Sequence, residues 1–134
     1  PVVGISNHQV LAWQRNPADR PVFTLIEARR NELYFAEHEL MDSSYPQIKD
    51  HKIIFKEDLI KHVPPQSIVI WKHDLEISGT IKDALLKQDV LIYDRGIYSA
   101  SIVAELAALK AELIGHDDLV KMEPMYIRPF AGVQ

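Results

Sequence analysis

"VFTLIEARRNELYFAEHEL", residues 22–40, decides how the chain folds. Val22 to Ala28 is a strongly apolar run of strand length. Glu32 to Leu40 reads as a second strand, with Tyr34, Ala36, His38 and Leu40 on one face. Arg29, Arg30 and Asn31 separate them. Asn31 tolerates the left-handed backbone that a tight turn requires. The stretch therefore predicts an antiparallel hairpin. Turns that cradle phosphate use glycine, because a side chain blocks close approach of the backbone. This turn has none, and Arg29 and Arg30 would crowd a phosphate. They are candidates for anion or partner contact through charge-assisted hydrogen bonds, with Arg128 a third. The plain alternative is a solvated turn.

Upstream, "ISNHQVLAWQRNP" predicts a helix. Ser6 is a good N-cap, Gln9 completes a capping box, and Ile5 and Val10 are spaced for a hydrophobic staple. Asn16-Pro17 is the stop signal. Downstream, a polar loop through Ser43 to Pro46 leads to a third strand around Ile53 to Phe55. "KEDLIKHV" gives a turn or two of helix ended by Pro64-Pro65. "SIVIW", Ser67 to Trp71, and "VLIY", Val90 to Tyr93, read as strands buried on both faces. A helix capped by Ser78 lies between them. The longest helix carries the stripe Ile102, Leu106, Leu109 and Leu113, with Gly115 at its end.

Three strands with short connections should be antiparallel neighbours. Two more reached through helices should run parallel to the first. The predicted fold is α/β: a mixed five-stranded sheet of order 3-2-1-4-5, with strand 2 antiparallel to the rest. This is the ribonuclease-H-like arrangement of actin-like ATPases.

Composition fits one soluble domain: 134 residues, 47% hydrophobic, 25% charged. A formal charge of -4 is the wrong sign for a free-standing nucleic-acid binder. The absence of cysteine excludes disulfides and thiolate chemistry and is compatible with a reducing compartment. No apolar run is long enough to span a bilayer. The chain opens at Pro1 with only a stub of strand before its first helix. That start predicts a missing N-terminal lobe. Residues 1–20 would link to it, and residues 116–134 would form a C-terminal tail on a single lobe spanning 1–134.

Three segments carry a resemblance. "VVGISNHQVLA" resembles the "GVSTLEALA"-like segment of the bacterial TsaB (YeaZ) family, of the glycoprotease type. "LIEARRNELYFAEHEL" resembles that family's "DAR.GEVY.A.Y" hairpin, with Glu27 in place of its Asp and Asn31 in place of its Gly. "EPMYIRP" resembles its "P.YLR" ending. The resemblance implies two ribonuclease-H-like lobes and a cytoplasmic, non-catalytic partner of TsaD. With the ATPase TsaE, these proteins support threonylcarbamoyl transfer to adenosine in tRNA. It implies self-association, tRNA contact only through the complex, and no cofactor or metal of its own. Surface bared by a missing lobe is then expected at Val10, Leu11 and Trp13 on the first helix, and at Met125, Tyr126 and Phe130 on the tail. These are the interface candidates for a homodimer or higher oligomer.

Two other classes compete. A metal-dependent nuclease on the same fold needs several converging carboxylates. Glu27, Glu57 or Asp58, Asp74 and Asp94 are the available ones. A small standalone binding module is the third class. The six histidines include no pair three or four apart, so no helical zinc motif exists. His38 reads as a partly buried, hydrogen-bonded histidine within its strand rather than a ligand or general base. Trp13 and Trp71 read as core or lobe-interface anchors.

Overall fold

The computed structural model describes residues 5–15, 19–41 and 45–114. Helix α1 (Asn7–Gln14) leads to strands β1 (Val22–Glu27), β2 (Glu32–Met41) and β3 (Tyr45–Phe55). A 3-10 turn (Lys56–Asp58) runs into α2 (Leu59–His62). Then come β4 (Ile68–Lys72), α3 (Gly79–Lys87), β5 (Leu91–Gly96) and α4 (Ala100–Ile114). The sheet order is β3-β2-β1-β4-β5. β2 is antiparallel to both neighbours, and β1, β4 and β5 are mutually parallel. The short turns force the first, and the helical crossovers force the second.

Local chemistry explains the helix ends. The Ser6–Gln9 capping box closes the start of α1, where free backbone N–H groups would otherwise lack partners. Ile5 packs on the cluster that contains Val10, as the staple requires. The Ser78 hydroxyl accepts from the Ile81 amide at the start of α3. Asn16-Pro17 and Gly115 lie outside the described residues.

Alternation along the strands sends side chains to two faces. On one face, Phe23, Leu25, Leu33, Phe35, Val69 and Trp71 pack with Leu59 and Leu85 from α2 and α3. On the other, Leu11 and Ala12 of α1 cover Val22, Ile68 and Ile70. Helix α4 lies outside α1, where Leu106 meets Val10 and Tyr45, with Ile102, Leu109 and Leu113 against them. Each fully buried Leu or Ile contributes about 1.5–3 kcal/mol of burial. Trp71 belongs to the core, at 1% exposure.

Two expectations need correction. β3 begins at Tyr45, not near Ile53. It is an edge strand whose middle is studded with exposed polar residues, Gln47, Lys49, Asp50, His51 and Lys52, so it lacks an apolar signature. Charged edges of this kind resist strand addition. β5 is also an edge strand and is not buried on both faces; Leu91 at its start is 43% exposed. At its far end Gly96 is required by space. A Cβ there would sit 2.7 Å from the Trp71 carbonyl oxygen and 2.6 Å from Leu11 Cδ2. Among the described residues, no helix is long and apolar enough to cross a membrane.

Candidate functional site

Parallel strands that end together create a ligand-binding edge in many α/β sheets. Here that edge joins the ends of β1, β4 and β5 with the β1–β2 turn. Asn31 takes the left-handed conformation at φ 60°, the role glycine plays in looser turns. The turn is closed by its own backbone. The Glu32 amide donates to the Arg29 carbonyl at 2.8 Å, and the Ala28 amide donates to the Glu32 carbonyl at 3.0 Å. The Lys56 amide donates to the Asn31 carbonyl at 2.8 Å, tying the turn to the end of β3. Arg29 and Arg30 are exposed, as a contact role requires.

The carboxylates that a nuclease would use do not converge. Asp74 sits 3.2 Å from Lys72 Nζ, Asp94 sits 3.2 Å from Lys82 Nζ, and Asp58 sits 3.5 Å from Lys61 Nζ. The hydrogen bond from Lys72 holds the Asp74 carboxyl below the usual range. Among the described residues, no three histidine or acidic side chains are grouped to hold a metal ion. Lys72 also lies over the Tyr98 ring, 4.9 Å from its centroid. Partial burial, and then the Asp74 charge, push the Tyr98 hydroxyl up to about 12. The edge is thus a set of local ion pairs beside exposed arginines. That chemistry suits anion or carboxylate contact better than bond cleavage.

A second polar constellation lies beneath α1. His8 Nδ1 is 2.7 Å from Thr24 Oγ1, and Thr24 Oγ1 is 2.8 Å from His38 Nε2. All three side chains are buried, at 6%, 0% and 5% exposure. A hydroxyl has one proton, so Thr24 donates to one ring and accepts from the other. Burial drives His8 down to about 3, with His38 and then His51 adding to the effect. Burial drives His38 down to about 4, opposed by the Pro46 carbonyl. That approach falls short of a hydrogen bond, and among the described residues His38 Nδ1 has no partner, as is also true of the Tyr34 hydroxyl. Beside them, Gln9 Nε2 donates to Tyr45 Oη at 2.8 Å and to the Pro46 carbonyl at 3.1 Å. Burial raises the Tyr45 hydroxyl to about 12 despite the Gln9 bond.

The structure brings the sequence candidates together only in part. Arg29 and Arg30 share the carboxyl edge. Val10 and Leu11 do not form a surface: both are 0% exposed in the chain's own core. They are corrected from interface candidates to core residues, because the sheet and α4 cover this helix on two sides. Trp13 remains half-buried against the α4 cluster. Arg128, Met125, Tyr126 and Phe130 lie outside the described residues. Sequence reading foresaw His38 but missed His8 and Thr24. The available signal was Thr24, a polar residue within the apolar run Val22 to Ile26.

No protein-family model matches the chain, and no curated protein matches it.

Proposed function

We propose that the chain is a ribonuclease-H-like lobe of a TsaB-like protein. In this reading it is a non-catalytic, cytoplasmic partner that supports threonylcarbamoyl transfer to adenosine in tRNA. The observation that carries the proposal is the β1–β2 hairpin at the centre of a 3-2-1-4-5 sheet. It holds the segment "LIEARRNELYFAEHEL", which resembles the family's hairpin, and its turn is closed on itself without glycine. The paired carboxylates at the edge support a contact role over a nuclease role. The partners would be TsaD-like and TsaE-like proteins, with tRNA met only through the assembly. Self-association would use Trp13 and the tail residues.

Co-elution with a TsaD-like protein by size exclusion at tens of micromolar is the test. A shared peak, weakened by Arg29→Glu with Arg30→Glu, is the expected result. Separate elution of the folded chain would overturn the reading. ATP should show no micromolar affinity for the isolated chain in a calorimetric titration, since the turn offers no glycine cradle.

A further inference from the structure

We propose that the His8–Thr24–His38 chain is a proton-operated latch that holds the first turn of α1 on the sheet and releases it in mildly acidic solution. The latch ties the first turn of α1 to the paired strands β1 and β2, alongside apolar contacts and the Gln9 hydrogen bonds to Tyr45 and Pro46 of β3. His8 comes from α1, Thr24 from β1 and His38 from β2. Thr24 can bridge the two rings only while at least one of the two facing nitrogens carries no proton. If both rings carry a proton on the facing nitrogen, both donate, and the Thr24 proton loses its acceptor.

Among the described residues, no anion compensates charge on the rings. On β2, Tyr34 shares the face with His38, and its hydroxyl has no partner among the described residues. On β3, His51 stands opposite Ala36 and opposes charge on His8; Tyr45 is held neutral by burial. On α4, Lys110 is 5% exposed and adds a cation 5.9 Å from the Tyr45 ring. On this face β1 contributes Val22, Thr24 and Ile26, none of them ionisable. Lys72 of β4 is at the carboxyl edge, paired with Asp74. Among the described residues, no carboxylate bonds or shifts either ring. Among the described residues, a proton entering this layer therefore meets the other ring and apolar walls, and moving α1 outward is the way to hydrate it.

Release should be local. The opposite face has an apolar core around Leu25, Leu85 and Trp71, with His62 beside Phe35 and Lys82 beside Trp71 only at its rim. At the far end of α1, the Gln14 side chain grips both backbone groups of Ile97, donating to its carbonyl at 2.7 Å and accepting from its amide at 3.0 Å. That end acts as the hinge, and Trp13, one residue before it, turns against the α4 cluster as the His8 end lifts.

The two tryptophans allow a direct test. Trp13 reports α1, and Trp71 reports the opposite core. Their indole N–H signals are followed by nitrogen-15 NMR from pH 7.5 to 4, with Trp13→Phe for assignment. In the same titration, the opening of α1 amides, corrected for intrinsic exchange, should rise by up to about tenfold per pH unit for each ring released. The expected result is movement of the Trp13 signal between pH about 6 and 4 while Trp71 stays in place. His8→Asn with His38→Gln can offer Thr24 one amide N–H donor and one amide oxygen acceptor but cannot take up the protons. It should move the Trp13 transition at least one pH unit lower. If the double variant is unfolded by circular dichroism at pH 7.5, each single variant is read in the same way, and the wild-type titration still decides. A single transition shared by both tryptophans, no Trp13 movement above pH 4, or an unchanged transition in the variants would each overturn the latch.

Discussion

Toward α2 and α3, β1 presents Phe23 and Leu25; toward α1, it presents Val22, Thr24 and Ile26. The first face is closed by Leu59, Leu85 and aliphatic neighbours, and the ionisable groups His62, against Phe35, and Lys82, against Trp71, are half-buried at the rim rather than in the core. The second carries two neutral histidines, a bridging threonine, Gln9 and Lys110, all buried. The difference teaches where the chain keeps its stability and where it is conditional. The apolar face depends on area and packing density, which respond weakly to pH. The α1 face depends in part on a hydrogen-bond chain that fails once both facing ring nitrogens carry protons.

The largest effect is expected from Leu25→Ala on the apolar face. Leu25 is fully buried, so the substitution leaves a cavity and should cost about 2–5 kcal/mol in urea unfolding. A loss below about 1 kcal/mol would show that this face is not the main core. Thr24→Val on the other side of the same strand should cost less, about 1–3 kcal/mol, because two buried ring nitrogens lose their partner. If it proves neutral, the threonine is a packing residue and the comparison breaks. Ser6→Ala should cost about 1 kcal/mol by removing the cap that starts α1. Amide exchange should place that loss in α1 and leave β4 unchanged.

The hairpin, the strand order and the α1 cap were legible because each depends on neighbours in sequence. The Asn31 turn and the Ser6–Gln9 pair are examples. The start of β3 was not legible: exposed Lys49, Asp50 and Lys52 make an edge strand look like a loop. The edge site was half legible. Arg29 and Arg30 were visible as a pair, but Lys82 reaches Asp94 across twelve residues, by way of a helix packing on a strand. The histidine chain spans sixteen residues from His8 to Thr24 and fourteen more to His38. No local pattern encodes it; only the crossing of α1 over β1 and β2 does. The same crossing buried Val10 and Leu11, which the expectation of a missing lobe places on a bared surface.

Unfolding free energy against pH, for the wild type and the His8→Asn/His38→Gln variant, tests the contrast between the faces most directly. Both rings are held below their ordinary value of 6.5 in the folded chain, at about 3 and about 4. The unfolded chain therefore binds more protons between those values, and stability falls as pH falls through 6.5 toward 4. The wild type should lose about 2 kcal/mol per ring between pH 7 and 5, while the variant stays nearly flat over that range. A wild-type curve as flat as the variant's, or a variant that loses as much as the wild type, would contradict the account.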